Sequence, residues 1–263
     1  MALKTHPPSK PSRGSFGIYG DSGIGKTTLL GTMPGRGLLI DTIITEGGEQ
    51  VLADKADRIK VFSCTSWDMV DEIFNSVEAG DENVDWVGFD SVTGMLRLAY
   101  RQVIGLDDKE IRISKHKITL PEHGEAGQLV SELIYRFNSI TIDQDDGVKR
   151  PKFMIWTAQE RRHGGGEDDP GPMQIGPDVI RSVLSALKPP MMLLGRVELD
   201  TEGNRVLRVG KNDLYMCKAR VVPGRKLPDV IAKPNLGKIL RYLTSDDPEV
   251  VKKNKPRAAD DLI

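Results

Sequence analysis

Cysteine is almost missing from this chain of 263 residues: it has only Cys64 and Cys217, with neither a paired spacing nor a metal-type cluster around them. That argues against a disulfide framework and suits a reducing cytoplasm. No apolar leader opens the sequence, and no apolar run approaches the roughly 18 to 20 residues that a bilayer-spanning helix needs. A soluble protein without a membrane partner is therefore expected. An excess of one charge sign is lacking too, since 37 Lys and Arg stand against 38 Asp and Glu, a formal net charge of -1. Such a chain has no global attraction for nucleic acid or membrane, and any polyanion must be held by a local basic cluster. No internal repeat is present. The length suffices for one large α/β domain with a full core.

What the sequence does contain is one highly specific stretch, Gly20-Asp21-Ser22-Gly23-Ile24-Gly25-Lys26-Thr27-Thr28. Two glycines with four residues between them, then Lys and Thr, make the phosphate-loop pattern. Ser15 to Tyr19 reads as a strand before it, and Thr28-Leu29-Leu30 opens a helix after it, the context the motif requires. Successive backbone N–H groups and the helix N-terminus form a concave site for the phosphates of a nucleotide. Lys26 would reach the β and γ phosphates, and Thr27 would place its hydroxyl on Mg²⁺. Further along, Val84 to Ser91 is an apolar strand closing on Asp90, the form of the second nucleotide-binding motif, whose carboxylate holds Mg²⁺.

The rest of the chain is organised around these two motifs. Residues 1–13, proline-broken and polar, are expected to be a flexible arm. Gly37 to Asp41 reads as a buried parallel strand, followed by a loop at Thr45 to Glu49 on the edge where ligands sit in open α/β sheets. Arg58 to Phe62 is a third strand, and Ser66 caps a helix reaching Val77. Tyr100 to Gln128 loses periodicity and reads as a loop with a basic centre at Arg112, Lys115, His116 and Lys117. A helix spans Gln128 to Ile140, and a strand spans Lys152 to Thr157. A second irregular stretch runs from Arg161-Arg162-His163 to Pro177, where glycines and prolines argue against regular structure. Met191 to Val197, Arg205 to Val209 and Tyr215 to Val221 are expected as strands of an antiparallel extension. Asn235 to Leu243 forms a last helix, and 244–263 a charged flexible tail. The ATPase core is thus expected over 14–243.

In this order the parts resemble the RecA-type P-loop ATPase core, over roughly residues 15 to 243. Val87 to Val92 is similar to the second motif of RecA. Thr45-Glu46-Gly47-Gly48 is similar to the segment in phage nucleotide-binding proteins reduced to the RecA/RadA core, a group classed with single-strand annealing recombinases. The resemblance implies a RecA-like fold: a mostly parallel central sheet flanked by helices, with a β-rich antiparallel C-terminal extension. It implies that Glu46 activates the attacking water, with Asp41 or Glu49 as alternatives because the interval from Asp41 to Glu46 is longer than the family's. It implies that Gln159 senses the γ phosphate. Lys218 and Arg220, two apart and so on one face of a strand, would reach across a subunit interface to a neighbour's γ phosphate. The two irregular loops would hold single-stranded DNA through Arg112, Lys115, Lys117, Arg161, Arg162 and His163, by phosphate contacts of little sequence preference. Acids at Glu167 to Asp169 sit beside the second cluster, and neither loop carries an aromatic stacking platform.

The function so implied is an ATP- and Mg²⁺-dependent, single-stranded-DNA-binding recombination protein that anneals or pairs strands as a homo-oligomer, filament or ring. The location would be the bacterial host cytoplasm if a phage encodes it. The tail, basic at Lys252, Lys253, Lys255 and Arg257 and ending in Asp260-Asp261-Leu262-Ile263, could dock a single-strand-binding protein. Two other classes share the phosphate loop: a P-loop kinase or phosphotransferase, and an ATP-binding regulator without DNA activity.

Overall fold

A computed structural model of the chain describes residues 13–42, 48–106, 117–142, 146–166, 171–221 and 224–259. The expected arm apart from Arg13, the residues Glu46, Arg112, Lys115 and His116, the acids at 167–169 and the last four residues lie outside them.

Short apolar runs become strands. β1 (Gly14–Tyr19), β2 (Gly37–Asp41), β3 (Ile59–Ser63), β4 (Trp86–Asp90) and β5 (Phe153–Ala158) pair in parallel, in the order β1-β5-β4-β2-β3. On the other flank of β1 stand β8 (Met191–Leu199), β9 (Arg205–Arg208) and β11 (Val230–Ala232), while β10 (Lys218–Ala219) pairs with β8; together these make a nine-stranded sheet. The fold is a P-loop α/β fold with a mostly parallel sheet and antiparallel strands toward the C-terminus. One detail departs from expectation: β8 is parallel to β1 and antiparallel to β9 and β10, so the antiparallel part continues the central sheet. Order reverses at β1, and the carboxyl ends of the strands around such a switch point form a ligand crevice.

Strand alternation divides the core between the two faces of the sheet. Phe16, Ile18, Leu39, Trp86 and Ile155 pack under α1 (Lys26–Leu30) and α6 (Leu236–Thr244). Ile40, Val87, Phe89 and Trp156 face the opposite layer. That layer holds α2 (Trp67–Ala79), α3 (Val92–Val103), α4 (Leu120–Ile140) and α5 (Arg181–Leu187). Aromatics are only 5% of the chain, yet three meet here. Phe89 stacks on Trp156 at 4.5 Å, and Phe137 meets Phe89 edge-on at 4.8 Å.

Several expectations are corrected. α4 begins at Leu120, eight positions before the expected Gln128, because Thr119 and Glu122 form a reciprocal capping box with a proline in the first turn. α3 was not expected at all, although Val92, Met95, Leu96, Ala99 and Val103 carry helical spacing and the Ser91 side chain caps it by accepting from Gly94 N at 3.2 Å. Ser66 sits at the N-cap of α2, but its side chain makes no capping bond. The second irregular stretch is a hairpin, β6 (Glu160–His163) paired antiparallel with β7 (Gln174–Pro177). Gly164 and Gly165, with φ of 76° and 77°, follow β6, while Gly176 and Pro177 lie within β7. Within the expected flexible tail, α7 (Pro248–Asn254) is helical, capped by the Asp247 carboxylate accepting from Glu249 N at 2.9 Å. Lys252 and Lys253 lie in its last turn, where cations suit the helix dipole.

Candidate functional site

Tyr19 ends β1 fully buried, and the chain turns sharply into the loop beside β8. A side chain on Gly20 would stand 2.6 Å from the carbonyl oxygen of Val197, so only glycine allows this approach. Gly25, at φ 96°, is the N-cap of α1, and the helix opens directly on Lys26. Lys26 is buried, and its ammonium donates to the carbonyl oxygens of Gly20 at 3.0 Å and Asp21 at 2.7 Å. The cation is thereby held across the mouth of its own loop.

Strand pairing then brings the distant acid to this loop. β5 lies between β1 and β4, so the ends of β4 and β5 converge beside α1. The Thr27 hydroxyl donates to Asp90 Oδ2, and the Thr157 hydroxyl donates to Asp90 Oδ1 at 2.6 Å. A hydroxyl and a carboxylate in direct contact beside a phosphate loop are hard oxygen donors of the kind Mg²⁺ selects. These residues fit the ion, and Thr27 and Asp90 would hold it. Bound there, it would neutralise charge on the nucleotide's phosphates.

Of the three acids considered as general base, Asp41 is buried and pairs in register with Asp90 on the next strand. Glu49 belongs to the 3-10 helix Gly48–Lys55. Gln159 sits between β5 and β6, with its N–H donating to Thr93 Oγ1 at 3.2 Å and its carbonyl accepting from Asp178 N at 2.6 Å. The backbone at Gln159 is therefore tied to α3 and to the residue after β7.

Arg161, Arg162 and His163 follow Glu160 in β6, which starts one residue beyond Gln159. Arg161 and Arg162 are exposed; Arg161 pairs with Asp178 at 3.6 Å, and His163 Nε2 bonds the Pro177 carbonyl at 2.8 Å. Lys117, the described member of the first basic cluster, is exposed just before α4.

Lys218 and Arg220 do share one face, but not beside their own phosphate loop. Lys218 pairs with Leu194, which is level with Gly17, and Arg220 N donates to Met192 O, farther still from Gly20. Lys218 Nζ donates to the carbonyls of Lys188 at 2.6 Å and Pro189 at 3.1 Å, and the Arg220 guanidinium also donates to Pro189 O. These carbonyls close the C-terminal end of α5, where cations are favoured. Partial burial, with Arg220 and Lys188 nearby, pushes the Lys218 pKa down.

A charge network beside the loop was not anticipated. Arg196 makes a two-pronged pair with Glu160 at 2.8 and 3.1 Å and also donates to Glu198. Glu198 in turn accepts from Arg208 at 2.9 and 2.6 Å. Both guanidiniums stand over the Tyr215 ring, at 4.7 and 5.1 Å. The hydrogen bond to Glu160 holds the Arg196 guanidinium further above its ordinary pKa. Because Glu160 opens β6, the network ties the hairpin to the central sheet. The alternation of Arg196 and Glu198 on one strand face was the available signal. Thr157 and Arg205 had no such local signal.

Among the described residues, no helix is long and apolar enough to cross a membrane, and no group of three or more His, Cys, Asp or Glu is arranged to hold a metal. A family profile described as an AAA domain matches residues 13–221, well over half of the chain. No curated protein matches the sequence.

Proposed function

The chain belongs to the AAA domain family, an AAA-type P-loop ATPase domain over residues 13–221, and from that premise we propose that it hydrolyses ATP and couples the nucleotide to single-stranded DNA. The observation that carries the ATPase reading is the contact of Thr27 with Asp90 at the mouth of Gly20–Thr28. Lys26 and the loop N–H groups bind the phosphates, Thr27 and Asp90 hold Mg²⁺, and an acid from Asp41, Glu46 or Glu49 orients water for in-line attack. Gln159 reports the state of the γ phosphate.

Support for the DNA reading comes from continuity. The hairpin β6–β7 starts one residue after Gln159, carries two exposed arginines, and is braced on the sheet by Glu160 and Arg196. A change at the nucleotide edge is then felt by cations suited to phosphate contacts. In this reading the protein is a RecA-like recombination ATPase that anneals or pairs strands and assembles with Lys218 and Arg220 facing a neighbour's nucleotide. The tail, which is helical in α7 and bonds β11 through Arg257 and Ala259, would recruit a single-strand-binding protein. A second reading, an ATP-binding regulator, is favoured by one observation: both cations already bond carbonyls at the end of α5.

The test is ATP turnover with and without single-stranded DNA. The expected outcome is stimulation by DNA that is lost in an Arg161→Ala/Arg162→Ala variant. Turnover indifferent to DNA, with no DNA retained at low salt, would leave the regulator reading standing instead.

A further inference from the structure

The residue that follows the turn between β8 and β9 bonds the tip of the phosphate loop. The Asp200 carboxylate accepts from the N–H groups of Glu202 at 3.0 Å and Asn204 at 2.7 Å, and Asp200 N donates to Asn204 O at 2.9 Å. This tied turn fixes where β9 begins, and β9 begins with Arg205. Arg205 Nε donates to the carbonyl oxygen of Ile24 at 2.8 Å. Its guanidinium fills the place a side chain on Gly25 would occupy, 2.2 Å from the nearest guanidinium nitrogen. Gly25 is favoured by its φ of 96°, and the arginine lies directly against it.

The consequence follows from peptide geometry. In a trans peptide the carbonyl and the next N–H point in opposite directions. Drawing Ile24 O toward Arg205 turns the Gly25 N–H away from β9. A charged donor on the carbonyl also polarises the peptide, and charge-assisted bonds are roughly twice as strong as neutral ones. We infer that Arg205 is a positioning residue of the nucleotide site, which aims the Gly25 N–H at the phosphates and makes it a stronger donor. The inference rests on reading Gly20–Thr28 as the phosphate site. It assigns to the antiparallel part of the sheet a share in binding nucleotide within the same chain.

The experiment compares Arg205→Met, Arg205→Lys and Arg205→Gln in the full chain. Kd for ATP and for ADP, KM, kcat and the melting temperature without nucleotide are measured for each. Loss of a charge-assisted bond should raise both Kd values about tenfold in Arg205→Met. KM should rise by a similar factor, kcat should fall by less, and Arg205→Lys should recover most of the affinity. Should Arg205→Met fail to fold, Arg205→Gln carries the comparison, with affinity expected about fivefold below that of wild type. Affinity within twofold of wild type in Arg205→Met, or in Arg205→Gln where that variant carries the comparison, overturns the inference. So does an equal loss in the Met and Lys variants accompanied by a lower melting temperature in both. Lys26→Ala separates the two levels: if it binds ATP normally, the phosphate-site reading itself fails.

Discussion

Thr27 in the first turn of α1 donates its hydroxyl to the carboxylate of Asp90 at the end of β4, 63 positions along the chain. The second carboxylate oxygen accepts from Thr157 at 2.6 Å. Two hydroxyls from two different elements therefore fix the plane of one acid, so it needs little rearrangement to meet a cation. Such preorganisation is where enzymes gain most electrostatic stabilisation.

Asp90→Asn keeps the shape and one acceptor but removes the charge. Mg²⁺-dependent ATP turnover should fall on the order of 100-fold. The melting temperature should change little, and a steady-state phosphate-release assay alongside a melt reads both quantities.

Lys26→Ala removes the cation that bridges Gly20 and Asp21. Nucleotide affinity and turnover should both collapse, read by equilibrium binding of a fluorescent ATP analogue. Turnover equal to wild type would end the assignment of Gly20–Thr28.

Lys218 and Arg220 lie away from their own loop, so their proposed role needs a neighbour. Lys218→Ala/Arg220→Ala should be inactive alone, and so should Lys26→Ala. Mixed in equal amounts, head-to-tail assembly leaves about one interface in four with both halves intact, and turnover should recover to that level. If the double variant keeps full activity, the two cations serve only the end of α5.

Arg196 stands between Glu160 and Glu198, with side-chain exposures of 15%, 13% and 14%. Arg196→Met leaves the Glu160 carboxylate without its cation while Glu198 keeps Arg208, and stability should drop by about 3 kcal/mol. Chemical denaturation measures it, with a smaller loss expected in Glu160→Gln, where the arginine keeps Glu198.

Thr119→Ala breaks the capping box of α4. The expected loss is about 1 kcal/mol, seen as a lower denaturant midpoint at unchanged slope.

Not all that was missed was illegible. Thr119 and Glu122 carry the capping spacing, and Ser91 followed by Val92, Met95, Leu96 and Ala99 spells a helix. Two short strands of the β6–β7 hairpin were obscured because β7 itself contains Gly176 and Pro177, and the charged residues of β6 give no apolar alternation. α7 was hidden by its charge, since Lys252 and Lys253 read as a solvated tail and also suit a helix C-terminus.

By itself the sequence determined the phosphate loop, the strand ending at Asp90 and the α/β class. A phosphate cradle is built from contiguous residues, and a buried parallel strand is a short apolar run, so both are written locally. Only the tertiary structure decided which residues surround that loop. Thr157 reaches Asp90 because β5 inserts between β1 and β4, and Arg205 reaches Ile24 because β8 runs parallel to β1 and returns as β9. Strand order is set by which faces can be buried together, a non-local balance that no single stretch of sequence contains.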